Sequence, residues 1–233
     1  MTVLITRPRD DSEILASLLE KEKISCFIEP MFHVKHLPFD FRGQGFGKVQ
    51  GTIFTSRHAV SAMPDYAELP CFVVGKSTGR VAKQRGFTNI VIAEGNLESL
   101  LVEIESKYNN DSGALLYFRG EEVTLDLTEF YKPKNIKIFS VVVYKTEETA
   151  TLSQGLANKI LAHDIKTAIF SSENTVRIFI KRLKELSLLE ASKKIACLAI
   201  SEKVAKKLDE AGFDNVKIFN NDMTQLITLI KKN

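Results

Sequence analysis

The sequence holds no tryptophan and only three cysteines in 233 residues. Cys26, Cys71 and Cys197 are odd in number, each lies in an apolar run, and no two have metal-ligand spacing. A disulfide scaffold is therefore excluded, and buried thiols in a reducing compartment are expected. Net charge is also scarce: 32 basic residues against 29 acidic ones leave +3, too little to argue for nucleic acid. The C-terminal lysines alternate with apolar residues, as on solvated helix faces. No stretch approaches the roughly 18 apolar residues of a membrane span. The chain opens on the strand-like Val3-Leu4-Ile5 without a signal peptide's long apolar core. A cytoplasmic protein with neither membrane nor nucleic acid as partner is the expectation.

The remaining composition, 44% hydrophobic and 26% charged, is that of a globular chain long enough for one large domain or two smaller ones. Apolar runs at 2–6, 24–29, 51–55, 71–75, 90–93, 114–118, 136–144, 167–171, 195–200 and 215–219 alternate with segments of helical period. Those segments are 10–22, 57–63, 77–86, 96–108, 122–130, 173–190, 201–212 and 222–231. This alternation predicts α/β architecture with parallel sheets and crossover helices. Gly86 and Gly212 stand where helices should end, each followed by Phe and an Asn-led strand.

Internal repeats sharpen the organisation. Residues 75–104 align without a gap onto 201–230, and Ile53-Phe54-Thr55-Ser56 matches Ile169-Phe170-Ser171-Ser172. A second module relates Val3-Leu4-Ile5-Thr6-Arg7-Pro8 to Leu115-Leu116-Tyr117-Phe118-Arg119-Gly120. The module order is second, first, second, first, and three strands alone bury a sheet poorly. The middle pair then makes one five-stranded domain, residues 39–145, inserted into another built from 1–34 and 150–233. Residues 35–38 and 146–149 are the linkers, and Phe32–Leu37 and Val141–Thr146 read as the extended crossing segments. Two such connectors side by side would pair as a short ladder and act as a hinge.

Parallel α/β sheets bind ligands beyond the carboxyl ends of their strands. Those ends carry Thr6-Arg7, Thr55-Ser56-Arg57, Gly75-Lys76-Ser77-Thr78, Gly95-Asn96, Arg119-Gly120 and Ser171-Ser172. Helix N-termini there favour anions, and two facing sheets would line an anion-binding cleft. For any single hydroxyl, helix capping is the simpler reading. Tyr144 ends the run Val141-Val142-Val143 at the return crossing. Its phenol either donates a proton into the cleft or caps the hinge as an amphipathic aromatic.

Sharper motifs fail. Gly75-Lys76-Ser77-Thr78 imitates a P-loop ending, but Pro70 occupies the earlier glycine position and 71–74 is an apolar strand. Gly43, Gly45 and Gly47 read as a loop, because no strand feeds them. His33 and His36 point opposite ways along a strand, which disfavours joint metal ligation. His58 and His163 have no evident catalytic partner, though His58 follows a strand end.

The succession Val-Leu-Ile-Thr-Arg-Pro at 3–8, Phe54-Thr55-Ser56 with Ala59-Val60, Val74-Gly75-Lys76-Ser77-Thr78, Gly86-Phe87, Tyr117-Phe118-Arg119-Gly120-Glu121 and Val143-Tyr144-Lys145-Thr146 resembles the uroporphyrinogen-III synthase family over nearly the whole chain. The resemblance implies two flavodoxin-like domains joined by a two-stranded β-ladder. It also implies a cofactor-free and metal-free lyase of tetrapyrrole and haem biosynthesis. Its substrate would be hydroxymethylbilane, a linear tetrapyrrole with acetate and propionate arms, cyclised with inversion of the last ring and loss of water. The residues it implies are Tyr144 as catalytic, with Arg7, Ser56, Arg57, Lys76, Ser77, Thr78, Arg119 and Ser172 binding substrate. Ser201-Glu202-Lys203-Val204 departs from the family pattern, and Glu202 would oppose an anion unless it points away. A monomer suffices, with at most a transient contact with the preceding enzyme of the pathway. The chief rival is a non-enzymatic two-lobed protein closing on a small anion; a flavin domain would be yellow, and none is expected.

Overall fold

The computed structural model describes residues 2–39, 45–63, 68–93 and 96–232. In chain order the strands and helices are β1 (Thr2–Ile5), α1 (Arg9–Lys21), β2 (Ser25–Ile28), β3 (Phe32–His36), β4 (Val49–Phe54), α2 (Arg57–Ala62), β5 (Cys71–Val74), α3 (Gly75–Gln84), β6 (Ile90–Ala93), α4 (Leu97–Lys107), β7 (Ala114–Gly120), α5 (Leu127–Tyr131), β8 (Ile138–Glu148), α6 (Gln154–Leu161), β9 (Ile165–Phe170), α7 (Glu173–Glu185), α8 (Leu189–Ser192), β10 (Ala196–Ala199), α9 (Glu202–Glu210), β11 (Val216–Ile218) and α10 (Met223–Lys231). The chain divides into two compact units, Met1–His33 with Glu147–Asn233, and Val34–Thr146.

The first unit holds a five-stranded sheet in the order β11-β10-β9-β1-β2, with every pairing parallel. Parallel strands buried on both faces read as continuous apolar runs, which is why the strands stand out in the sequence. Leu4, Ala168, Phe170 and Cys197 pack against α6, α7 and α9 on one face. Val3, Ile5, Ile169 and Leu198 pack against α1 and α10 on the other.

The second unit holds a sheet in the order β3-β8-β7-β4-β5-β6, parallel from β8 to β6. Phe54, Val73, Leu116 and Phe118 meet α2 and α3 on one face. Ile53, Phe72, Leu115 and Tyr117 meet α4 and α5 on the other. This sheet has six strands where the sequence predicts five. The added one is β3, a crossing segment that joins the sheet edge beside β8, and just beyond it the Leu37 N–H donates to the Val143 carbonyl at 2.9 Å. At 11 residues β8 is long enough both to pair with β7 and to run on to the crossing.

The repeated Gly-Phe pairs have one physical cause. Gly86 and Gly212 adopt φ of +90° and +82°, a region an L side chain resists. Each N–H then donates to a carbonyl of the last turn, Lys83 at 3.1 Å and Asp209 at 2.9 Å. Phe87 and Phe213 donate one step further back, to Ala82 and Leu208, and bury their rings beneath the helix end.

Four expectations are corrected. The helix α6 is absent from the sequence-based assignment; its cap, Ser153, is held by the buried carboxylate of Glu29, 124 residues away, through N–H and Oγ donations of 2.6 and 2.7 Å. The helix expected over 173–190 is broken at Ser187, whose φ is +55°. Residues 122–126 are an open turn and only Leu127–Tyr131 is helical. Cys26 is half-buried, while Cys71 and Cys197 are buried as expected. Gly43 and Gly95 lie outside the described residues. Among the described residues no helix is long and apolar enough to cross a membrane.

Candidate functional site

Sheet order decides where each unit can hold a ligand. In the second unit β4 and β7 are neighbours, yet the chain leaves β4 through α2 toward β5 and leaves β7 through α5 toward β8, on opposite sides. The connections diverge there and open a crevice beyond the strand ends. A cavity of about 340 Å³ occupies that position, lined by Thr55, Ser56, Val74, Tyr117 and Tyr144 and closed by the Glu122–Leu125 turn.

Tyr144 reaches this cavity from β8 because the neighbouring β7 ends in glycine. A Cβ on Gly120 would sit 2.7 Å from Tyr144 Cζ and 2.9 Å from its hydroxyl oxygen. The two residues are paired in register after a bulge at Arg119. The His58 ring lies beside the phenol, centroids 5.9 Å apart. Ser56 caps α2 by accepting from the His58 N–H at 3.2 Å. Thr55 Oγ1 and Tyr117 OH are 3.1 Å apart on the α4 and α5 face of the sheet. Burial pushes the Tyr117 phenol up from its ordinary pKa, the Thr55 contact opposing in part.

The other residues expected in this unit are placed less uniformly. Arg57 Nη1 donates to Ser77 Oγ at 3.4 Å, linking the starts of α2 and α3, and Lys76 and Ser77 are exposed at the first turn of α3. Thr78 is buried beside Gly79 and Ala82 on the inward face of α3, and it does not line the cavity. Arg119 turns to its own strand end, donating to the carbonyls of Gly120 and Glu121 at 3.0 Å, with Asp126 3.5 Å away. It braces the turn that closes the cavity and is not among the cavity's lining.

The first unit repeats the pattern. Here β1 and β9 are the neighbours whose connections diverge, β1 through α1 toward β2 and β9 through α7 and α8 toward β10. Thr6 Oγ1, fully buried, donates to the Ile169 carbonyl at 2.7 Å and ties the two strand ends together. Arg7 follows. Its carbonyl accepts from Ser12 Oγ at 2.7 Å, and its Nε is buried without a hydrogen-bond partner among the described residues. Burial lowers its pKa, the sign of a cation held without enough compensating charge. Ser172 caps α7 through the Thr175 N–H at 3.1 Å, its Oγ also 2.7 Å from Thr175 Oγ1. Glu202, in the departing turn, is exposed.

A wider groove of about 960 Å³ runs between α7 and α9 of this unit. Several of its charges are paired, as in Lys207 with Glu210 at 3.1 Å, and it lies along helix surfaces, away from the diverging strand ends. The strand ends are the better chemical candidate. Among the described residues no group of three or more His, Cys, Asp or Glu could hold a metal.

Sequence reasoning passes over Tyr117 as a site residue and offers Thr55 only as one of several strand-end groups. Tyr117 sits inside the apolar run Leu115–Phe118, where an aromatic reads as core. The usable signal is the register: Ile53 pairs with Tyr117, so Thr55, two residues on, shares its face.

The family model described as uroporphyrinogen-III synthase HemD matches residues 13–222. The chain is similar in fold to the uroporphyrinogen-III synthetase of Helicobacter pylori 26695, at 14% identity and a TM-score of 0.63, covering 99% of this chain and 98% of that one. It is likewise similar to a mutant uroporphyrinogen III synthase of Thermus thermophilus, at 16% identity and a TM-score of 0.56, covering 100% and 97%. None of the curated proteins matches it. With the family model spanning most of its length, the chain belongs to the uroporphyrinogen-III synthase family.

Proposed function

We propose that the chain cyclises hydroxymethylbilane to uroporphyrinogen III as a cofactor-independent lyase, with Tyr144 as its general acid. The observation that carries this reading is the Tyr144 phenol, laid over Gly120 at the diverging strand ends, in a cavity lined by hydroxyls and apolar groups with one carboxylate, Glu122, on its closing turn. The phenol gives its proton to the terminal hydroxyl of the bilane, which departs as water and leaves an azafulvenium cation. The substituted carbon of the last pyrrole attacks that cation. The spirocyclic intermediate fragments and recloses with the ring inverted. A final proton loss restores the aromatic pyrrole and returns the proton to the phenolate, so the net change is loss of one water.

The bilane closes unaided to the type I isomer, so the protein's task is to hold one geometry. The acetate and propionate arms supply the counter-charge that Arg7 lacks and suit Arg57, Lys76, Ser77, Ser56 and Ser172. In this reading the two compact units are two domains, the second inserted into the first, and the chain works as a cytoplasmic monomer. Contact with the enzyme that delivers the bilane would be transient.

The test is a coupled assay. Hydroxymethylbilane is generated in situ, the purified protein added, and the oxidised products separated by isomer. Type III product without added metal or cofactor is expected; type I alone, as in the protein-free control, would overturn the reading.

A further inference from the structure

The hydroxyl pair in the second unit has a direction. Tyr117 is 1% exposed, whereas Thr55 is half-buried at the cavity wall. Thr55 Oγ1 is the only hydrogen-bond partner of the Tyr117 hydroxyl among the described residues, at 3.1 Å. If Thr55 donated to the phenol, the phenolic proton would be left almost wholly shielded and without a protein acceptor among the described residues, which folded proteins avoid. The Tyr117 proton therefore goes to Thr55, and the Thr55 proton is free to rotate toward the cavity.

We propose that Tyr117 is a positioning residue that turns the Thr55 hydroxyl into a donor aimed at a carboxylate of the bound ligand. The inference rests on the synthase reading for the identity of that ligand, though not for the direction of the pair. It follows from the fold: β4 and β7 pair with Ile53 opposite Tyr117, which puts both hydroxyls on one face at neighbouring strand ends. A threonine in water donates and accepts equally well. One whose lone pair is engaged from behind by a buried phenol is biased toward donation, so the wall selects acceptor groups. Glu122, on the closing turn, adds a carboxylate to the same cavity, an acceptor that competes for this donor and opposes an anionic ligand.

The test compares wild-type chain, Tyr117→Phe, Thr55→Val, Thr55→Ser and the Tyr117→Phe/Thr55→Val double variant by two readouts. In the coupled assay each single loss should raise KM by ~3- to 10-fold, the worth of one hydrogen bond, with kcat within ~2-fold. The double variant should match the worse single variant, and Thr55→Ser should retain wild-type KM. The second readout is NMR titration with 1,2,3,4-butanetetracarboxylate, which needs no turnover and should give the same ordering of affinities. Multiplicative effects in the double variant would overturn the relay. So would an unchanged Tyr117→Phe, or a wild-type chain that does not bind the tetracarboxylate. A wild-type chain that binds the tetracarboxylate in the expected ordering but yields only type I product keeps the relay and removes the synthase reading.

Discussion

The ring of Tyr144 rests on Gly120, at a distance that leaves no room for a methyl group: an added Cβ would stand 2.7 Å from Cζ. The contact joins the ends of two parallel strands and fixes where the phenol can point. Gly120→Ala must push the ring away or shift β7. The expected outcome is a kcat at least ~10-fold lower with stability reduced by ~1–3 kcal/mol, the usual range for overpacking. Isomer assay and thermal unfolding together check it; wild-type kcat would show that the ring position is unimportant.

Tyr144→Phe keeps the ring and removes only the proton donor. Type III formation should slow by ~100-fold or more, the low end of general acid catalysis. The melting temperature should stay unchanged. Adding Gly120→Ala to this variant should lower kcat little further, because both changes act on one group.

Arg7 carries a buried Nε with no partner among the described residues, in a place where burial already disfavours its charge. Arg7→Gln should raise KM by ~10-fold or more, the worth of a hydrogen bond to a charged group. The same change should not destabilise the free protein, since a burden of desolvation is removed. Measured KM and denaturant midpoint decide it; a large fall in midpoint would assign Arg7 to structure.

The thiols should be silent. Burial pushes Cys71 up to about 12, with a Thr52 contact opposing, and pushes Cys26 up to about 11, with the charge of Glu20 adding. Burial also raises Cys197. At pH 8 the thiolate fraction of Cys26 is then about 100-fold below that of a free cysteine, so iodoacetamide should leave activity intact until the chain unfolds. The sign of the linkage follows. Folding favours the neutral thiols, so their contribution is full below the ordinary value of 9.0 and is lost as pH rises through 11 and 12.

Glu148, at the end of β8, faces Arg177, Lys181 and Arg182, and its pKa is lowered chiefly by the hydrogen bond from Arg177. A depressed carboxylate stabilises the fold above its unfolded value and loses that contribution as pH falls below the ordinary carboxylate range. The cluster is largely solvent-exposed, so Glu148→Gln should cost no more than about 1 kcal/mol at pH 7. That is roughly 2–4 °C in melting temperature for a chain of this size. The difference should vanish in acid and shrink in high salt.

Much of this fold is visible in the sequence for identifiable reasons. The parallel strands are buried on both faces, so runs such as Cys71–Val74 and Ala196–Ala199 have no polar alternation to obscure them. Gly86 and Gly212 mark helix ends because nothing else takes their φ without strain. What the sequence hides depends on distant partners. The start of α6 is held by Glu29, and no local pattern around Ser153 announces a carboxylate from the other end of the unit. The site is half legible for the same reason. Strand-end hydroxyls such as Ser56 and Ser172 can be found by position, and both prove to be helix caps as well. Tyr117 cannot, because its chemistry comes from Thr55 across the sheet, and inside Leu115–Phe118 it looks like core. Thr78 follows a strand end in the sequence, but the helix turn carries it inward.

The placement of β1 between β9 and β2 has a consequence for how the protein is made. The ribosome delivers β1, α1 and β2 first, yet β1 lacks its second neighbour until Phe170 has emerged. The roughly 140 residues from Ile28 to Phe170 take about 7–28 s to synthesise at 5–20 residues per second. Throughout that interval β1 has one open edge, and Leu4, fully buried in the finished chain, lacks the later helices that cover its face. The unit whose strands lie between has all of its own segments in hand by Thr146, before the first unit's β9, β10 and β11 are made. Nascent chains should therefore acquire protease resistance in two stages, the middle of the sequence before either of its ends.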